Sequence, residues 1–195
     1  GVLDAVTDPQ RVRAYWRRVP EANIGIATGR SGLVVIDVDV KDGKHGIDAW
    51  RDLQRELGAE ISETATVETP SGGLHLYYRS DDTSIGPSVD KLGPGLDVRA
   101  GGSYVLAPGS IHPNGGDYHW ALGAAPDEVP TRPLPEPLRA RILNGRAAPA
   151  GPVAGPIATG QRNNTLASLA GTMRRRGMSA ESIEAALLAA KRLCA

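Results

Sequence analysis

Two aspartates, Asp37 and Asp39, stand one residue apart in the otherwise apolar run LVVIDVDV at residues 33–40. In a strand successive side chains point to opposite faces, so Val34, Ile36, Val38 and Val40 would form one row and the two acids the other. Carboxylates that close repel unless the face opens to water or something positive lies between them, and a divalent cation is the natural occupant. The plainer alternative places Asp39 in the following turn, VKDGKHG, and leaves Asp37 alone facing solvent. Three further stretches bear on the choice. In SGGLHLYYR, His75 alternates with Tyr77 and Arg79 after Ser71, Gly72 and Gly73, whose backbone N–H groups could approach an anion. In GLDVRAGG, Asp97 and Arg99 share a face opposite Leu96 and Val98, and in SYVLAPGSIHPNGG, Ser110 and His112 follow a strand. Singly these have ordinary readings: a hydrogen-bonded core histidine, a surface ion pair, hairpin turns. Together, three acids on strands suit Mg²⁺ or Mn²⁺, which prefer oxygen ligands, while His, Ser and Arg suit phosphate oxygens. That combination points to phosphoryl or nucleotidyl transfer, in which two ions about 4 Å apart act on the attacking and leaving oxygens. The pattern G-x-x-x-x-G-K-[ST] is absent, which argues against a P-loop ATPase.

The elements that must hold these residues are readable from spacing. TDPQRVRAYWRRVP predicts a helix capped by Asp8, with Pro9 in its first turn, Pro20 at its end, and Val12, Tyr15, Trp16 and Val19 on one face. NIGIATG and GLVVIDVDV predict two strands, and HGIDAWRDLQRELG a second helix through Ile47, Trp50, Leu53 and Leu57. TATVETP, GLHLYYR, GLDVRA, SYVLAP and YHWAL then read as short strands between Gly, Pro and Asn turns. The pattern is α+β: a mostly antiparallel or mixed β body flanked by helices, with a small C-terminal helical unit. Prolines from 126 to 137 make an extended strap before a short helix over 138–143. The expected division is a catalytic body at 1–143, a Gly/Pro/Ala-rich linker at 144–160 and a helical region at 161–195. That region holds two helices, QRNNTLASLAGTMRRRG and one capped by Ser179.

Composition narrows the classes. With 22 basic and 22 acidic residues in 195, the formal charge is +0, so nucleic-acid contact must come from local basic patches. Arg162, Arg174, Arg175 and Arg176 are the candidates, set against an ordinary role at a solvated helix end. One cysteine, Cys194, leaves no internal disulfide and no Cys-rich zinc site. No long apolar run or leader is visible, so a soluble, cytoplasmic protein without a membrane partner is expected. The chain starts at Gly1 without methionine and reads as an excised or processed piece.

NIGIATGRSGLVVIDVDV, TPSGGLHLYYR and GLDVRAGGSYVLAPGSIHPNGGDYHW together resemble the bifunctional DNA primase/polymerase domain of the archaeo-eukaryotic primase superfamily, typical of phage and plasmid replication proteins. The resemblance runs from about Asp4 to Trp120. It implies that Asp37, Asp39 and Asp97 are catalytic and bind two Mg²⁺ or Mn²⁺ ions, with Gly73 and His75 forming the small-x-His motif that meets the phosphates of an incoming dNTP or NTP. Ser71, Arg99, Ser110 and His112 are nucleotide-pocket candidates. The C-terminal helices are similar to the small helical region that often precedes a helicase, which makes single-stranded DNA template and a helicase domain outside this sequence the implied partners. A metal-dependent nuclease, or a non-catalytic nucleic-acid or nucleotide-binding module, is the competing reading.

Overall fold

The computed structural model describes residues 2–145, 173 and 178–192. The chain divides into two compact units, Gly1–Ala147 and Ala148–Ala195. The first is α+β. Helix α1 (Pro9–Arg18) precedes strand β1 (Gly25–Ala27) and strand β2 (Leu33–Val38), and helix α2 (Gly46–Leu57) follows. Then come β3 (Thr66–Glu68), β4 (Leu74–Arg79), β5 (Ser88–Gly93), β6 (Leu96–Arg99), β7 (Tyr104–Leu106), β8 (His119–Trp120) and β9 (Arg132–Pro133), closed by helix α3 (Glu136–Asn144).

The main sheet has the order β5-β6-β2-β4-β3-β8 and is antiparallel along that path; β9 adds a short parallel pairing to the end of β4. β2 is central and buried on both faces, as its nearly unbroken apolar sequence requires. One face carries Val34, Ile36, Val38, Leu76, Tyr78, Leu96 and Val98 against Trp50 and Leu53 of α2 and Leu138 and Ile142 of α3. Burying each of those large side chains stabilises the fold by roughly 1.5–3 kcal/mol. The Tyr78 hydroxyl, buried among them, donates to the Ile61 carbonyl. The opposite face has its own smaller cluster, Val35, Ala65, Val67, Tyr77 and Val105, with Tyr118 and Trp120 packed at its border. Val105 belongs to a separate two-stranded ribbon, β1 with β7, in which it pairs with Ile26.

One expectation changes here. β2 ends at Val38, so Asp39 and the half-buried Val40 lie beyond the strand rather than in its alternating rows. Asp39 does belong to the turn, because its carboxylate accepts from the Lys41 N–H. Helix α1 forms where predicted, with the Asp8 carboxylate accepting from Gln10 N–H at its start, but it buries no residue: Tyr15 is 47% and Val19 41% exposed.

In the second unit, helix α4 (Ala180–Arg192) begins after Ser179, whose hydroxyl accepts from the Ser182 N–H at 3.2 Å. The stretch predicted as the preceding helix lies outside the described residues except for Met173, which is helical; Arg162, Arg174, Arg175 and Arg176 lie outside them too. Among the described residues no helix is long and apolar enough to cross a membrane.

Candidate active site

Strand register builds the site. In the β2–β6 pairing Asp37 stands opposite Asp97, and in the β2–β4 pairing it stands opposite His75, so Asp97, Asp37 and His75 form a row across three adjacent strands. The next row on that face begins with Arg99, which pairs with Val35. From there the guanidinium reaches back over the acids. Arg99 Nη2 donates to Asp37 Oδ2 and to Asp97 Oδ2, each at 2.9 Å, and Nε donates to Asp37 Oδ2 at 3.1 Å. Two carboxylates thus share one cation, which offsets the repulsion that cross-strand acids would otherwise suffer.

Asp97 is held from behind as well. Its Oδ1 accepts from Asp90 N–H at 3.1 Å, and Asp90 Oδ1 accepts from Gly95 N–H at 2.7 Å. Asp90 adopts φ 53°, in the left-handed region, to make this turn. Burial raises the Asp97 pKa above its ordinary value, against the opposing pull of the Asp90 hydrogen bond and of Arg99 and Lys44.

Asp39 reaches the same pocket by a different device. Its N–H donates to Gly95 O at 2.8 Å and its carbonyl accepts from Gly46 N–H at 3.1 Å. A Cβ at Gly46 would stand 2.5 Å from that carbonyl oxygen, and one at Gly95 2.7 Å from it. The two glycines therefore let three backbone segments close around Asp39 after the strand has ended. Its carboxylate pairs with Lys44 Nζ at 3.2 Å. Burial acts to raise its pKa, but the Lys41 N–H and the Lys44 and Lys41 charges outweigh that and bring it below the ordinary value.

His75 is 6% exposed, with Nε2 3.5 Å from Asp37 Oδ1 and its ring beside Tyr118 at 5.8 Å between centroids. Nδ1 is buried beside the Leu106 backbone. Burial depresses its pKa; Asp37 acts in the opposite sense, while Arg99 and Lys41 add to the depression. That depression favours the uncharged ring.

A pocket of about 200 Å³ opens here, lined by Asp37, Asp39, Lys41, Ser71, His75, His112, Asn114 and Tyr118 together with Val38, Thr69 and Pro70. Of the sequence-predicted residues it gathers Asp37, Asp39, Ser71, His75 and His112, and Asp97 and Arg99 join through the ion pairs to Asp37. Two others serve the framework. Ser110 is fully buried, and its hydroxyl accepts from Ile24 N–H at 2.9 Å, tying β1 to the loop after β7. Gly73 is a packing glycine, since a Cβ there would stand 2.2 Å from Val38 O. The Gly72 and Gly73 N–H groups do not offer themselves to an anion: they donate to Thr69 O and Oγ1, at 2.8 and 3.1 Å. Thr69, Lys41, Lys44, Asn114 and Tyr118 were missed from sequence. Lys41 and Lys44 were open to discovery, because two lysines directly after an acidic pair are its nearest counter-charges.

The donor chemistry fits a hard divalent cation, because the row and the turn present carboxylate oxygens into one pocket. As placed, each carboxylate faces a cation of the protein, and among the described residues no three His, Cys, Asp or Glu side chains converge closely enough to hold an ion.

An antiparallel sheet that brings acids, a buried histidine and neighbouring cations to one small pocket defines an α+β protein with a polar candidate site. Residues 1–137 match the family model for the bifunctional DNA primase/polymerase, N-terminal domain, and residues 152–191 match that for primase C terminal 1. The chain belongs to the bifunctional DNA primase/polymerase family, with a primase C-terminal region following. A search of curated proteins found no match.

Proposed function

We propose that the protein is a DNA primase/polymerase of phage- or plasmid-type replication. In this reading a primer 3′-hydroxyl, or that of a first nucleotide, attacks the α-phosphate of an incoming triphosphate on a single-stranded template. The new O–P bond forms as the bond to pyrophosphate breaks, and the hydroxyl proton leaves to solvent. Asp37, Asp39 and Asp97 would hold one or two Mg²⁺ or Mn²⁺ ions. Bound there, such ions supply charge stabilisation to the attacking oxygen and the departing pyrophosphate. The observation that carries the proposal is the register row Asp97–Asp37–His75, which sets two acids beside a buried imidazole on three adjacent strands.

The chain's own residues divide the work. His75, neutral and held by burial, donates to a phosphate oxygen without adding charge. Ser71, His112 and Asn114 line the same pocket, and its volume suits the phosphate chain rather than a whole nucleotide. Arg99 keeps the acid pair together and would offer its guanidinium to a triphosphate. Gly73 and Ser110 act through the framework. The catalytic body would end at 143, a linker occupy 144–160, and the region 161–195, with Arg162, Arg174, Arg175 and Arg176, assist template binding ahead of a helicase domain.

The second reading is a nucleotide- or nucleic-acid-binding module without catalysis. It is favoured by one observation, that the three acids already carry protein cations as partners. Incubation with primed and unprimed single-stranded templates, labelled dNTPs and Mn²⁺ or Mg²⁺ separates the cases. Extension that falls by orders of magnitude in Asp37→Asn supports the proposal. Template shortening would identify a nuclease, and nucleotide binding with neither outcome would establish the module.

A further inference from the structure

A second cavity, of about 670 Å³, lies away from the acids between α1 and the β1–β7 ribbon. Val12, Tyr15 and Trp16 of α1 face Gly25 and Ala27 of β1 and Tyr104 of β7. This is where α1 departs from an ordinary amphipathic helix, since its aromatic face is left without a core. Tyr15 is 47% and Tyr104 58% exposed. The rings are nonetheless placed: Tyr15 packs edge-on to Trp16 at 5.0 Å, Trp16 Nε1 donates to Ala22 O, and Tyr104 lies beside Gly25.

The helix that borders this groove carries charge of one sign. Helix α1 carries Arg11, Arg13, Arg17 and Arg18 and no acid within its span. All four arginines are exposed, and none forms a salt bridge among the described residues. Arg11 lines the groove, where Asp4 is the one acid among the described residues. In a chain whose 22 basic residues balance its 22 acidic ones, four arginines in ten residues are a local field.

We infer that this groove binds single-stranded nucleic acid, with bases stacking on Tyr15 and Tyr104 and phosphates meeting the α1 arginines. Exposed aromatic faces beside a basic stripe match a ligand that has both flat apolar faces and a regular negative charge. Duplex fits less well, because its bases are already stacked on one another. The groove is also joined to the acidic pocket by the fold. β7 runs directly into the loop that carries His112 and Asn114 into that pocket, and Ser110 on the way is bonded to Ile24 at the groove's wall. The inference rests on the primase/polymerase reading only for the source of the strand, a template.

The test is fluorescence anisotropy of the full chain with labelled oligo(dT) over a salt titration, with primer extension run in parallel. Tyr104→Ala should weaken binding about 5- to 150-fold, the range for losing one stacked base, while Tyr104→Trp keeps it. Arg11→Ala with Arg18→Ala should flatten the plot of log affinity against log salt by about 1.4, for two phosphates on a single strand. The thermal midpoint should stay at the wild-type value in each variant, since all three side chains are exposed. Wild-type affinity and slope in both variants would overturn the groove while leaving any extension activity, and so the catalytic reading, standing. Weakened binding in the variants of a protein that never extends a primer would keep the groove and remove the catalysis. A dimer by sedimentation that Tyr104→Ala converts to monomer, with DNA binding unchanged, would show a second copy as the true occupant.

Discussion

At the scale of single residues, the site depends on backbone closeness as much as on acids. Asp39 is the clearest case: it lies past the end of β2, yet Gly46 and Gly95 hold its backbone within reach of the pocket. Gly46→Ala would drive a Cβ to 2.5 Å from Asp39 O and 2.8 Å from Gly95 O, both backbone atoms with little room to yield. The expected result is a loss of about 1–3 kcal/mol in denaturant unfolding and a fall in nucleotide incorporation beyond what the lost stability accounts for. A variant as stable and active as wild type would mean that the segment shifts freely and Asp39 is not fixed by it. Asp97 offers a second contrast. Asp97→Ala leaves the Asp90 N–H unpaired and Arg99 with one carboxylate, whereas Asp97→Asn can still accept from Asp90. Alanine should therefore lower the thermal midpoint more than asparagine does, while both abolish incorporation. Asp37, Asp97 and His75 were each readable as polar residues on a strand, and the family resemblance joined them. Their mutual register was not, because which strands pair, and at what offset, is settled by long-range packing.

At the scale of elements, the strands that were read correctly are those whose apolar residues have a core to meet. β2, β4 and β6 supply most of the sheet's share of the main core. β5 was missed, and its sequence, SVDKLG, explains why: it is an irregular edge with half its residues exposed and a register shift between Ser88 and Gly93. β9 is two residues of the proline strap that pair with the end of β4, a contact that no periodicity encodes. α1 was legible as a helix from its cap and prolines, and the face that carries Val12, Tyr15 and Trp16 holds no buried residue. α3 is anchored by an ion pair that can be tested. Arg139 donates to Asp82 Oδ2 through Nε at 2.8 Å and Nη2 at 2.5 Å. Hydrogen bonds from the Ser84 hydroxyl and N–H, and from Arg139, lower the Asp82 pKa to about 2 from 3.8. A carboxylate with a depressed native pKa adds stability that is fully present above 3.8 and is lost as pH falls through about 2. The unfolding midpoint of Asp82→Asn should therefore lie below that of wild type at neutral pH and converge on it through this acid window. Parallel curves across the window would show that the carboxylate's ionisation is not linked to folding.

At the scale of the whole molecule, both hydrophobic clusters, the acidic pocket and the α1 groove all fall within the unit Gly1–Ala147. A unit that contains its own core and its own site has what it needs to fold and bind alone. Cutting the chain after Gly145 should then leave a cooperative unfolding transition, dNTP binding and extension of a supplied primer. Arg162, Arg174, Arg175 and Arg176 are removed by the cut. If they share in template binding, single-strand affinity should weaken most at low salt, and unprimed synthesis, which lacks a primer duplex to hold the template, should suffer most. Counterions released at separate phosphates contribute additively to the salt slope. The flattening of the salt plot on truncation and that in Arg11→Ala with Arg18→Ala should therefore add when the changes are combined. A truncated protein that unfolds would make the C-terminal region part of the core. One that binds template with an unchanged slope would assign all of the strand's counter-charge to the first unit and leave the tail as a tether to whatever follows it.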